Sequence, residues 1–341
     1  MISASGFAYT LRILLSEGVC RIAVPAFFLI SGYLFFANMK EWDGNVWIGK
    51  LKRRVHTLLI PYIIWNILGI AYVCLSPYVG AVTETPDSLL SIIQERGWLR
   101  LFWDSNRVME QWSPPDINIL GVTMHHGMPA NTPLWFIRDL IIINILSPFI
   151  YLLVKHTKFY FIGALCILFI LNIWFPFEGI SIIGVLFYSL GSYYALLSKG
   201  LLEHFSKIKY LSLIGSSILL ILLTVLWGRH WSTQYIQRLF VLFGVVAAFN
   251  LASIVMRNEK GLMSRISDSS FFIFASHIMI ISAIAFILGR LIPGSNQVLM
   301  AIRYLLTAII TIILCEGAYQ VLKSLSPNMV SFLCGSRVKR K

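Results

Sequence analysis

Apolar side chains in this chain come in long blocks, not in the alternation of a half-buried strand or the one-sided stripe of a soluble helix. The first unbroken block is "RIAVPAFFLISGYLFF" at 21–36. A helix needs about 20 apolar residues to cross about 30 Å of hydrocarbon. Runs near that length occupy 19–37, 57–75, 133–154, 159–177, 179–198, 209–227, 235–256, 270–292 and 298–322. The expected fold is all-α, a polytopic transmembrane helical bundle with nine spans. The first run starts too far into the chain and is too long for a secretory signal, and no basic leader or small-residue cleavage site frames it. No long hydrophilic block separates the runs, so residues 1–341 are expected to form a single integral membrane domain.

Composition agrees. Hydrophobic residues make up 57% and charged residues 13% of the 341, against roughly 45–50% and about 25% in soluble domains. Lys and Arg in short connections favour the cytoplasm. With the 38–56 loop inside, every lysine falls on that side, while Arg12, Arg21, Arg96, Arg100, Arg107, Arg229, Arg238, Arg290 and Arg303 fall outside. The net charge of +13 therefore reads as a topology signal, and no nucleic acid partner is expected. Nine spans put the termini on opposite sides and leave residues 1–18 outside. A further helix upstream of Met1 would give ten spans with both ends cytoplasmic. The expected location is the bacterial cytoplasmic membrane, multi-pass, with the C-terminus in the cytoplasm.

Cys20, Cys74, Cys166, Cys315 and Cys334 are scattered without metal-ligand spacing and read as small apolar fillers. The outer loop at 76–132 is far longer than the others and carries Trp98, Trp103, Trp112, Pro114, Pro115, His125 and His126. Loops beyond about 15 residues are more often functional or disordered than idle. Within it, "SLLSIIQERGWLRLFW" (88–103) spaces apolar residues as an amphipathic interfacial helix would. It is either a packing segment or a substrate platform. Adjacent His125 and His126 would diverge on a helix and have no third ligand nearby, so no metal site is expected.

Four features carry chemistry. "KLKRRVHTLLIPYIIW" (50–65) places Lys50, Lys52, Arg53 and Arg54 immediately before a span. They either anchor the helix at the interface or cradle phosphate and diphosphate groups. "TPLWFIRDLIIINILSPF" (132–149) puts Arg138 and Asp139 inside a span, where a charge costs about 2.5–3.5 kcal/mol and so tends to face a wet cavity or a partner. Adjacent helical residues point about 100° apart, so each is expected to find its partner on another helix. "SFFIFASHIMII" (270–281) carries His277 with apolar neighbours at helical spacing. It is a satisfied structural histidine or a general base. Glu316 in "LCEGAYQ" is a further acid within a span.

"RIAVPAFFLISGYLFF", "KLKRRVHTLLIPYIIWN", "TPLWFIRDLIIINILSPFIYLL" and "SFFIFASH" stand in the order and spacing of the acyltransferase 3 family. The resemblance to these bacterial membrane O-acyltransferases of surface or exopolysaccharides covers essentially the whole chain. It implies that the 21–36 run corresponds to the family's second transmembrane helix. The family's preceding helix, with an arginine and a histidine thought central to transfer, has no counterpart here. Its Arg-x-x-Arg is also imperfect, because Thr57 follows Arg54 at the third position, and Lys50, Lys52 and Arg53 are left to supply the charge. The resemblance implies transfer of an acyl group, most simply acetyl, from cytosolic acyl-CoA to a polysaccharide hydroxyl, with no permanently bound cofactor. Partners are then membrane lipid, acyl-CoA and a carbohydrate acceptor. Lys50, Lys52, Arg53 and Arg54 would take the CoA phosphates, His277 would act as base, Arg138 and Asp139 would orient the reacting groups, and Arg21 and Trp135 would lie on the acceptor side. A transporter, a lipid-linked sugar flippase and a catalytically inactive relative are the competing readings, since charges within spans also mark transport routes.

Overall fold

The structure is a computed structural model. It describes residues 6–335 apart from 38, 40, 80–89, 91–92, 95–96, 104–116, 120–121, 125–126, 176–177, 198–199, 229–231, 259 and 295. The described residues are helical apart from loops and one small hairpin, Ile117–Ile119 (β1) against Val122–Met124 (β2). The all-α polytopic bundle is what the apolar runs predicted.

In chain order the helices are α1 (Phe7–Phe36), α2 (Gly44–Leu75), α3 (Arg100–Trp103), α4 (Trp135–Ile145), α5 (Ser147–Thr157) and α6 (Phe159–Leu171). They continue as α7 (Ile182–Leu196), α8 (Leu201–Lys207), α9 (Lys209–Leu226), α10 (Thr233–Asn258), α11 (Lys260–Leu291), α12 (Gln297–Leu325) and α13 (Pro327–Leu333). Among the described residues six helices are long and apolar enough to cross a membrane, and up to eight if the bent pairs α4/α5 (67°) and α7/α8 (106°) each count as one span. The expected run at 159–177 falls short because its helix, α6, stops after 13 residues at Leu171, where Asn172 turns left-handed (φ 60°). Arg238 caps that end, donating to the Phe169 carbonyl and to Asn172 Oδ1.

Of residues 1–18, expected outside the membrane, 6–18 are described. From Phe7 the chain is already helical, through an α segment, a π segment (Ile13–Gly18) and a 3-10 turn (Val19–Ile22), before the α-helix Ala23–Phe36. Pro25 cannot donate to the carbonyl four residues back, and the turn just ahead of it tightens. Ahead of Pro61 in α2 the chain departs from α geometry in the other direction, widening into a π turn over Val55–Leu59. Pro148 produces the α4/α5 bend: the Asn144 carbonyl it leaves without a helical donor accepts instead from Ser147 Oγ (2.7 Å) and Trp47 Nε1 (3.4 Å).

Two compact units share the chain, each assembled from separated segments: 1–47, 143–175 and 180–261 in the first; 48–142, 176–179 and 262–341 in the second. In the first, α1 and α7 meet backbone to backbone. A Cβ at Gly32 would fall on the Tyr188 carbonyl, and one at Gly191 on the Leu29 carbonyl. Small residues permit such approach where no hydrophobic force drives helices together in lipid. Tyr188 then reaches Asn144 Oδ1 at 3.0 Å. In the second unit the short terminal helix α13 docks on α2: Trp65 Nε1 donates to the Leu333 carbonyl at 3.1 Å, and Gly335, at φ +66°, lies over the Thr57 carbonyl.

Candidate functional site

The second unit gathers most of the residues singled out from the sequence. Lys50, Lys52, Arg53 and Arg54 close the amphipathic first part of α2. Lys50, Arg53 and Arg54 stand at i, i+3 and i+4 and share one face. Lys52 and Arg53 are exposed, Lys50 and Arg54 half-buried. Like charges at these spacings repel by about 0.2–0.5 kcal/mol per pair, and a bound anion would relieve that repulsion. Arg53 Nε reaches the Gly49 carbonyl at 3.4 Å, and Thr57 Oγ1 donates to the Arg53 carbonyl at 3.1 Å, keeping the helix wound through the cluster.

Arg138 and Asp139 are buried, 6% and 1% exposed, and they pair with each other. Nε and Nη2 of Arg138 both donate to Asp139 Oδ1 at 3.2 Å. The sequence argument that neighbours on a helix cannot pair is corrected here: their Cβ directions diverge, but the long arginine side chain curls back across the gap. The remaining Arg138 hydrogen bonds go to main-chain carbonyls, one on the last residue of the short α3 and one in the loop that leads to α4. Nη1 donates to the carbonyls of Trp103 (2.5 Å) and Gly127 (2.9 Å), and the guanidinium lies 5.5 Å from the Trp103 ring centre. Arg138 thus fastens two points of the long 76–132 segment, Trp103 and Gly127, to α4.

Glu178, which sequence reasoning passed over, completes the fastening. It accepts from Trp103 Nε1 at 3.0 Å and from the Gly127 amide at 3.3 Å, and Arg100 lies 3.8 Å away. Gly179, at φ +89°, lets the chain pass flat against the Trp103 indole, where a Cβ would come within 3.2 Å of the ring.

Beside this clasp a set of buried amides ties three elements together. Asn66 Oδ1 accepts from the Asn131 amide at 3.0 Å, and Asn131 Nδ2 donates to the carbonyls of Trp65 (3.1 Å) and Ala275 (2.9 Å). One loop residue thereby bridges α2 and α11. Nothing in the sequence marked Asn131, because its partners are main-chain carbonyls. Tyr62 adds a hydroxyl bond to the Phe102 carbonyl.

His277 is on α11, two residues beyond the carbonyl that holds Asn131. Its Nδ1 lies 2.7 Å from the Phe274 carbonyl. A carbonyl only accepts, so Nδ1 carries the proton and Nε2 keeps its lone pair. The same Phe274 packs edge-on against Phe136 of α4, ring centres 4.8 Å apart. Trp135, at the head of α4, is half-buried. Glu316 has its partner on its own helix, accepting from Gln320 Nε2 at 2.6 Å.

Arg21 lies in the first unit. Its Nη2 and Nε reach Glu17 Oε2 at 2.5 and 3.2 Å, and Arg12 approaches the same carboxylate at 3.6 Å. Glu17 is 2% exposed and sits in the π segment of α1, and its carbonyl accepts from Gln237 Nε2 at 2.8 Å. The i, i+4 spacing of Glu17 and Arg21 was legible in the sequence and went unread. All five cysteines are free, Cys315 and Cys334 buried. Among the described residues no three His, Cys, Asp or Glu side chains gather as a metal site. His125, His126, Trp112, Pro114 and Pro115, with residues 88–89, 91–92 and 95–96 of the amphipathic stretch, lie outside the described residues.

Comparison with known proteins gives this arrangement its class. A family model described as an acyltransferase domain, Acyl_transf_3, matches residues 2–317. The succinoglycan biosynthesis protein ExoH of Rhizobium meliloti (strain 1021) is 26% identical over 345 residues, covering 97% of this chain and 83% of its own length. No solved structure matches. With a family match running nearly end to end over a helical bundle of membrane-spanning character, the chain belongs to the acyltransferase 3 family of multi-pass membrane enzymes that transfer acyl groups other than aminoacyl groups.

Proposed function

We propose that this enzyme moves an acyl group, acetyl in the simplest case, from cytosolic acyl-CoA to a hydroxyl of an exported polysaccharide at the bacterial cytoplasmic membrane. The observation that carries the reading is the end-to-end family match, joined to a relative whose name places it in succinoglycan biosynthesis. In this reading the Lys50, Lys52, Arg53 and Arg54 face holds the CoA phosphates from the cytoplasmic side, where the C-terminus also lies. Arginine forks suit phosphate oxygens, and lysines add point charge.

The chemistry needs a base, because an alcohol is a weak nucleophile at neutral pH, and a donor for the oxyanion that grows on the thioester carbonyl. His277 fills the first role through Nε2, with Nδ1 already committed to the Phe274 carbonyl. Arg138 and Asp139 act as positioning residues that hold the outer loop and Trp103. Trp135 serves the acceptor side. The balance is that of a simple acyl transfer: the hydroxyl oxygen bonds to the acyl carbon, the thioester C–S bond breaks, and the hydroxyl proton passes through the base to the CoA thiolate.

The test is transfer of label from acetyl-CoA carrying a labelled acetyl group into deacylated polysaccharide, using the purified full-length chain in detergent or vesicles. Base-labile label in the glycan is the expected result. Sugar flux across vesicles without label would overturn the reading in favour of transport.

A further inference from the structure

Where the loop enters α4, two neighbouring residues each bury an oxygen that has no hydrogen-bond partner among the described residues: Asn131 Oδ1 and Thr132 Oγ1. The residues are 0% and 5% exposed. Asn131 cannot be turned to satisfy its oxygen, because both main-chain carbonyls that its Nδ2 bonds would then face an acceptor. Thr132 lacks the usual remedy of a helical threonine. Thr57, Thr157, Thr224 and Thr307 each donate to the carbonyl four residues back, whereas Thr132 opens its helix and has no earlier turn to reach. Buried polar atoms in native proteins are nearly always bonded, and each exception calls for an explanation.

We propose that Asn131 Oδ1 and Thr132 Oγ1 form the polar end of a subsite for an alcohol, the acceptor hydroxyl of the transfer reaction. The chemistry selects that class. The amide oxygen only accepts, while the threonine hydroxyl both accepts and donates. An alcohol can donate to the first and accept from the second through one oxygen, whereas the N–H and C=O of a secondary amide in a pantetheine arm point in opposite directions and do not meet both at once. The surroundings fit a built site. Asn131 is fixed by three hydrogen bonds to Asn66, Trp65 and Ala275, and Gly69 lets it pack close, since a Cβ there would come within 3.1 Å of Asn131 Cβ. His277 follows Ala275 by two residues on α11. The assignment of the hydroxyl to an acylation acceptor rests on the proposed function; the need of the two oxygens for a partner does not.

The experiment compares wild type, Thr132→Val and Thr132→Ser as full-length proteins, with a deacylated succinoglycan oligosaccharide as probe. It reads the acceptor and acetyl-CoA KM values, calorimetric binding of the oligosaccharide without acetyl-CoA, and thermal stability. Valine matches the shape of threonine and removes only the hydroxyl; serine restores it. The expected result is an acceptor KM and dissociation constant raised about tenfold or more in Thr132→Val, an unchanged KM for acetyl-CoA, and recovery in Thr132→Ser. If Thr132→Val does not fold, Thr132→Ala takes its place with the same expectation. Unchanged acceptor binding with equal or higher stability would mean the oxygens hold only water and would overturn the proposal. A shift confined to acetyl-CoA would overturn it too, assigning the oxygens to the donor. Wild type that binds the oligosaccharide without acylating it, and loses that binding on Thr132→Val, would uphold the subsite while the acyl-transfer reading fails. Wild type that neither binds nor acylates the probe would overturn the subsite.

Discussion

Replacing Arg138 by Met removes a guanidinium that makes four hydrogen bonds and little contact with water, so the consequence is large and its parts are separable. Two bonds join it to Asp139, which is 1% exposed and loses its counter-ion in the variant. Breaking a buried pair from one side costs about 3–5 kcal/mol, mostly for the uncompensated charge. The other two bonds hold the Trp103 and Gly127 carbonyls, and losing them loosens the loop, which lets water replace part of what is lost. Taking about 3–5 kcal/mol at about 2 °C per kcal/mol, the lower end for large chains, the apparent unfolding temperature falls by about 6–10 °C. The assay is thermal unfolding in detergent at one fixed scan rate. Adding Asp139→Asn to Arg138→Met removes the charge that Arg138 balanced and recovers at least half of the loss, since deleting both partners is milder than deleting one. An Arg138→Met protein that unfolds within about 2 °C of wild type would refute the clasp. A double variant no better than the single would refute the charge argument specifically.

Three further outcomes are expected. Gly32→Ala drives a Cβ into the Tyr188 carbonyl, so it destabilises the α1/α7 contact by about 1–3 kcal/mol, seen as a lower unfolding temperature, while Gly163→Ala, inside α6 where a Cβ meets nothing within 4 Å, does not lower it. Arg53→Ala with Arg54→Ala raises KM for acyl-CoA by about tenfold or more and flattens its dependence on salt, with the acceptor KM unchanged; steady-state kinetics at two ionic strengths checks it. His277→Gln keeps an amide of similar reach and removes the base, so kcat for transfer falls by about 10²–10⁴ while calorimetric binding of acyl-CoA persists.

The spans were legible because hydrocarbon imposes a simple rule: every main-chain amide must bond within its own helix, so long apolar runs can be little else. The breaks were half legible. Pro148 and Pro61 announce theirs, but α6 ends on a left-handed asparagine whose capping partner, Arg238, is distant in sequence. The first helix was read as starting too late for an electrostatic reason. Arg12, Glu17 and Arg21 look like a polar tail when counted singly. Once Glu17 is held between two arginines, the segment presents far less unpaired charge, and it folds as an extension of the span.

The site was legible in proportion to how much of its chemistry lies in side chains. Charges inside spans are conspicuous, and Arg138, Asp139 and His277 are candidates on that ground. Their partners are not conspicuous, because Arg138 holds the carbonyls of Trp103 and Gly127, and every residue has a carbonyl. The same holds for Asn131, an unremarkable loop asparagine until its amide is seen between α2 and α11. In a membrane this is expected to recur. A polar side chain within the bundle cannot turn to water, so it bonds whatever main chain the bends and loops leave open, and those openings are a property of the fold. The proline bends, the π turns and the loop entering α4 are where carbonyls come free, and arginine, asparagine and tryptophan donors gather at those points. Sequence shows which donors need partners; the breaks in the helices decide where they go.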